Sequence, residues 1–141
     1  MIGIINFGMG NLGSVKRKLD RIGALSVISS SPDEIRNADK LILPGVGHFG
    51  NAVNELKVSG LWDVLNKEVL VNKKPILGIC LGMQLMAKHS QEGNVSGLGW
   101  FDAEVIRFKV KDTLRFKVPH MGWNQVVLKK FSQLFENIEL G

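Results

Sequence analysis

The sequence predicts an α/β domain built on a doubly wound, mostly parallel sheet flanked by helices, and three observations carry that prediction. Short β-rich runs alternate with stretches of helical periodicity, and glycine-rich breaks stand where those runs end. A continuously apolar segment, Pro75 to Ile79, suits a strand buried on both faces of a parallel sheet.

The elements follow in order. Ile2 to Phe7 is β-rich and closes on Gly8-Met9-Gly10-Asn11. Leu12, Val15, Leu19 and Ile22 then mark one face of a helix that Gly23 is placed to end. Leu25 to Ile28 reads as a second strand. Ser31-Pro32-Asp33-Glu34 combines an N-cap, a proline at the first helical position and a reciprocal glutamate. Lys40 to Leu43 is a third strand, stopped by Pro44-Gly45-Val46-Gly47, and Phe49 to Val71 is helical with an interruption near Ser59-Gly60.

After the apolar strand, Leu81 to His89 reads as helix and Gln91 to Gly99 as loop. Ala103 to Phe108 and Leu114 to Val118 suggest two further strands. Pro119 to Asn124 breaks the pattern before strand-like Val126 to Leu128. No linker or repeat divides the 141 residues, which are expected to form one domain.

Composition narrows the function classes. With 45% hydrophobic and 22% charged residues the chain has the balance of a globular protein with a real core. The net charge of +5 is spread over residues such as Lys16, Arg17, Lys73 and Lys129, without interleaved aromatics to stack bases, so nucleic acid is not an expected partner. No segment approaches the roughly 20 apolar residues that span a bilayer, and Met1 leads straight into a strand without a basic leader; a cytoplasmic, membrane-free protein is expected. A single cysteine excludes an internal disulfide framework.

That cysteine lies in Gly78-Ile79-Cys80-Leu81-Gly82, the G-x-nucleophile-x-G form of a strand-to-helix elbow, where small residues on either side let backbone crowd a sharp turn. A helix N-terminus favours the thiolate, which is the attacking species. The competing reading is a buried structural cysteine. Gly45 and Gly47 make a second permissive loop that is either an ordinary turn or a support for amides aimed at an oxyanion.

Leu43-Pro44-Gly45-Val46-Gly47, Gly78-Ile79-Cys80-Leu81-Gly82-Met83-Gln84 and Pro119-His120-Met121-Gly122-Trp123-Asn124, together with Gly8-Met9-Gly10-Asn11-Leu12, resemble in order and spacing the class I glutamine amidotransferases. Pro44-Gly45-Val46-Gly47 and especially His120-Met121-Gly122-Trp123-Asn124 narrow the resemblance to the glutaminase subunit of imidazole glycerol phosphate synthase. It implies a flavodoxin-like α/β fold and a Cys80 that attacks the side-chain amide of glutamine, releasing ammonia and leaving a glutamyl thioester for hydrolysis. It further implies oxyanion donors at Leu81 and in the Val46-Gly47 region, and a substrate contact at Gln84.

The implied partner is a β/α-barrel cyclase forming a heterodimer with the glutaminase. Asn11 and Trp123 are the interface candidates, against the alternatives of a turn residue and a core aromatic. No metal or cofactor is expected. The resemblance also implies that the Val46-Gly47 loop rearranges when the cyclase binds its substrate. A different acceptor, in surface-polysaccharide amidation, is an alternative suggested by Gly99-Trp100-Phe101-Asp102-Ala103; a non-catalytic partner-binding fragment is another. The family completes its site with a histidine and an acidic residue in a His-x-Glu segment that does not occur in these 141 residues. The chain is therefore expected to be a piece of a longer subunit, with His48, His89 and His120 not serving as the base.

Overall fold

A computed structural model describes residues 1–112, 117–119 and 122–136. Its contacts fall into two units, Met1–Arg107 and Phe108–Gly141.

The first unit opens with β1 (Ile2–Ile5), α1 (Leu12–Arg21), β2 (Ser26–Ser29), α2 (Pro32–Asn37) and β3 (Lys40–Gly45). It continues with α3 (Phe49–Val58), α4 (Leu61–Asn66), β4 (Ile76–Cys80) and α5 (Leu81–Leu85), then β5 (Ala87–Ser90), β6 (Val95–Ser96) and β7 (Phe101–Val105). The first four strands form a parallel sheet in the order β2-β1-β3-β4. β5 lies between β6 and β7 in a second, small sheet, antiparallel to β6 and parallel to β7.

The alternation of side chains along the strands decides where the core lies. Ile5, Leu41 and Leu43 point to one face and pack with Phe49, Leu56, Leu61, Leu65, Leu81 and Leu85 from the helices that follow. Each fully buried side chain of this kind contributes about 1.5–3 kcal/mol. α1 lies against β1 and β2 but buries no residue fully, and Ile22 at its end is exposed. Gly23 closes α1 as expected, with a positive φ of 72° and its N–H donating to the Asp20 carbonyl at 3.0 Å.

Five local expectations are corrected. β3 runs through Pro44 and Gly45 rather than stopping before them: its ladder with β1 ends at Ile42, and Pro44, which has no N–H to donate, lies beyond that pairing while still aligned with Ile79 of β4. Ser31 precedes α2 but its side chain makes no cap bond, and its own N–H donates to Ser29 Oγ at 2.9 Å instead of to a reciprocal Glu34. β4 is not buried on both faces. Among the described residues it is an edge strand, which leaves Leu77 and Ile79 42% and 38% exposed.

The fourth correction concerns Ala87 to His89, which belong to β5 rather than to a helix continuing from Leu81. Non-local bonds capture the carbonyls a helix would have used. Leu98 N–H donates to Leu85 O at 2.7 Å, Trp100 N–H to Met86 O at 2.8 Å and Gly99 N–H to Ala87 O at 3.1 Å. A Cβ on Gly97 would sit 2.3 Å from Ala87 O, so this approach requires glycine. The fifth lies in the second unit, where Val126–Leu128 form no strand and the one regular element described is a short 3-10 turn, Gln133–Phe135. The strand expected over 114–118 falls largely outside the described residues.

A buried ion pair ties α4 to α2. After α4 a π-helical turn, Lys67–Val71, brings Glu68 against Lys74, with Nζ 3.0 Å from the carboxylate and both side chains at most 10% exposed. Asn72 Nδ2 donates to Glu68 Oε1 at 3.0 Å, and Lys74 also donates to the carbonyls of Ile35 and Arg36 at the end of α2. Burial pushes the Glu68 carboxyl up, but the hydrogen bonds from Lys74 and Asn72 and the charges of Lys74 and Arg36 outweigh it. The net effect holds the group below its ordinary value of 4.5.

A depressed folded value means that the stabilisation is complete above the unfolded value and is lost as pH falls through the folded one. Urea midpoints of wild type and Glu68→Gln are therefore expected to differ by a constant amount at neutral pH and to converge below pH 4.5. A gap that stays constant through the acid range would refute this account of the pair.

Candidate active site

The parallel sheet places three loops at the carboxyl ends of β1, β3 and β4, where open α/β sheets bind ligands. The order β2-β1-β3-β4 reverses direction between β1 and β3, and the loops of those two strands touch there. A Cβ on Gly10 would lie 3.6 Å from Gly45 N, and one on Gly47 would lie 2.7 Å from Met9 Cε. Gly45 in turn is in register with Cys80.

Cys80 links β4 directly to α5, with φ 54° and ψ −118°. A non-glycine residue in this sparsely populated region is strained and persists only where its surroundings enforce it. The enforcement is visible on both sides. A Cβ on Gly78 would lie 2.5 Å from Met83 Cα, and one on Gly82 would lie 1.8 Å from Leu43 O. The two glycines let α5 fold back against its own strand and against β3, which leaves the Cys80 side chain exposed at the turn. The reading of Cys80 as a buried structural cysteine is thereby excluded.

Leu81 begins α5, where backbone N–H groups have no acceptor within the helix. Gln84 lies on α5, four residues after Cys80, and is half-buried. Val46 and Gly47 are both exposed at the end of β3, and Gly47 has a φ of 119° that favours glycine. An exposed cysteine, a helix N-terminus and a permissive loop thus converge at one edge of the sheet. That arrangement suits acyl transfer, in which a tetrahedral intermediate needs amides aimed at its oxyanion.

Asn11 is exposed and caps α1, its Oδ1 accepting from Ser14 N–H at 3.2 Å. Trp123 belongs to the second unit and is fully exposed. His48 is exposed and caps α3, its Nδ1 accepting from Gly50 N–H at 3.1 Å. His89 lies on β5 rather than ending a helix. His120 lies outside the described residues.

One residue near the site escaped the sequence reading. Glu92 Oε2 accepts from Phe49 N–H at 2.7 Å, at the start of α3 and two residues beyond Gly47. A separation of 43 positions along the chain leaves no local pattern by which to find it.

Residues 3–140 match the family model for glutamine amidotransferase class-I. The chain is 47% identical over 138 residues to imidazole glycerol phosphate synthase subunit HisH 2 of Methanococcus maripaludis, covering 98% of this chain and 67% of that protein. It is 46% identical over 139 residues to subunit HisH 1 of Campylobacter jejuni, covering 98% and 68%. Against subunit HisH of Bacillus subtilis the identity is 44% over 144 residues, covering 100% and 68%. The chain therefore spans about two-thirds of the length of these relatives.

Among solved structures, a glutamine amidotransferase superposes with a TM-score of 0.65 at 23% identity, covering 75% of this chain and 56% of that one, which supports the fold. The match along nearly the whole sequence, joined to a strained cysteine elbow facing a glycine loop, places this chain in the class I glutamine amidotransferase family.

Proposed function

We propose that this chain carries the nucleophile and oxyanion side of a glutaminase subunit of imidazole glycerol phosphate synthase. The observation that carries the reading is the Cys80 elbow, which presents a thiol at the sheet edge where the Gly45–Gly47 loop and the start of α5 meet. Relatives 44–47% identical bear that subunit's name.

In the reaction the Cys80 thiolate attacks the side-chain carbonyl carbon of glutamine. The oxyanion that forms is met by the N–H of Leu81 and by an amide at Val46 or Gly47, and Gln84 holds the substrate. Collapse of the intermediate expels ammonia, its nitrogen protonated by a general acid, and leaves a thioester. Water then releases glutamate and restores the thiol. Neither His48, engaged as a helix cap, nor His89 is assigned the proton transfer. The ammonia passes to a β/α-barrel cyclase, met through Asn11 and Trp123, in the cytoplasm. No helix among the described residues is long and apolar enough to cross a membrane.

The test is glutamate release from glutamine by the full-length protein, alone, with the cyclase, and with the cyclase and its substrate. Release is expected to rise steeply in the last condition, because the Val46-Gly47 loop completes the oxyanion hole only then. Absence of release in all three conditions overturns the reading, and equal rates in the last two overturn the gating.

A further inference from the structure

We propose that Glu92 is a positioning residue for the Val46-Gly47 loop, acting through the first turn of α3. The proposal rests on the reading of that loop as an oxyanion donor. Only His48 separates Gly47 from Phe49, so whatever fixes Phe49 limits where the Gly47 amide can point.

The first N–H groups of α3 have no acceptors inside the helix. Two acceptors from different parts of the chain serve them. His48 Nδ1 takes Gly50 N–H, while the Glu92 carboxylate, from the turn between β5 and β6, takes Phe49 N–H at 2.7 Å. A charged acceptor at a helix N-terminus makes a stronger bond than a neutral one and also faces the positive end of the helix dipole.

Glu92 is itself held. Its N–H donates to Ser90 Oγ at 3.1 Å, and Ser90 is fully buried on β5. The neighbouring Gln91 N–H donates to Val105 O on β7 at 2.9 Å. Gly93, with φ 82°, closes the turn against the start of α3: a Cβ there would lie 3.0 Å from His48 Cε1 and 3.3 Å from Gly50 Cα. The small sheet therefore anchors a strap that grips the residues immediately after the loop.

The experiment compares wild type, Glu92→Ala and Glu92→Gln by amide hydrogen exchange and by capture of Cys80. The capture reagent is a glutamine analogue carrying a diazoketone in place of its amide, with iodoacetamide as a control that needs no oxyanion hole. In Glu92→Ala, Phe49 amide exchange is expected to be about tenfold faster or more, with the Val46 and Gly47 resonances displaced; Glu92→Gln, which keeps a neutral acceptor, falls between. The limiting rate of capture by the analogue is expected to fall by a similar factor, at unchanged half-saturation and unchanged iodoacetamide rate.

Unaltered Phe49 exchange in both variants, or faster exchange with Val46 and Gly47 undisturbed, overturns the proposal. So does a raised half-saturation at constant limiting rate, which would mean that Glu92 contacts the substrate. Failure of wild type to be captured by the analogue counts against the glutaminase reading, while the exchange measurement still decides the positioning role.

Discussion

Cys80→Ala is expected to reduce glutamine hydrolysis by the full-length protein by about four to six powers of ten, the scale on which an acyl-transfer enzyme depends on its nucleophile. The same substitution is expected to abolish capture by a diazoketone analogue of glutamine. Alanine retains the Cβ and hence the strained backbone at φ 54°, so the elbow survives and the loss is chemical. Glycine relieves that strain because it has no side chain to clash. Cys80→Gly is therefore expected to be equally inactive but more stable than Cys80→Ala by about 1 kcal/mol. Glutamate release, mass spectrometry of the labelled protein and thermal melts of both variants check these outcomes. Undiminished hydrolysis in Cys80→Ala would remove Cys80 from the chemistry, and a glycine variant less stable than the alanine variant would mean that the backbone is not strained.

Gly82→Ala is expected to be the most disruptive single change near the site. The added Cβ would lie 1.8 Å from Leu43 O and 2.6 Å from Leu43 C, and both are backbone atoms of β3. Relief requires either β3 to leave its ladder or α5 to swing away from the sheet, and the second movement takes Leu81 and Gln84 with it. Overpacking of this kind costs about 1–3 kcal/mol where side chains can shift and more where backbone must.

Gly60→Ala is the control. Gly60 has a φ of 72° and nothing within 4 Å of its added Cβ, so its cost is torsional, about 1–2 kcal/mol. A melting temperature lowered further by Gly82→Ala than by Gly60→Ala, with Cys80 capture lost only in the former, is the expected pattern. Equal effects on stability and retained capture would show that the contact between α5 and β3 is not what shapes the elbow.

These two changes mark how much of the site was legible in the residues. Gly78 and Gly82 announced the elbow because the crowding that demands them is short in sequence and repeats wherever a nucleophile stands on such a turn. The tertiary structure added the identity of the clashing atoms. Leu43 O belongs to a strand nearly forty residues earlier, and only the parallel register of β3 with β4 brings it there. Glu92 was invisible for the same reason, since a carboxylate reaching the first amide of a distant helix leaves no spacing to read.

The fold divides along similar lines. The amino-acid sequence by itself determined the alternation of strands and helices through Ile79, the end of α1 at Gly23, the break between α3 and α4 near Ser59-Gly60, and the position of Cys80 at a strand-helix junction. Each follows from side-chain period or from backbone freedom within a few residues. The tertiary structure decided that, among the described residues, β4 stands at an edge, Ala87–Ser90 leave the helix for a strand, and Val126–Leu128 form no strand. Apolar runs fit a central strand, an edge strand or a short helix equally well. What separates those outcomes is which distant N–H reaches which carbonyl, as when Leu98 and Trp100 take the acceptors of Leu85 and Met86, and that choice is made only when the chain has folded back on itself.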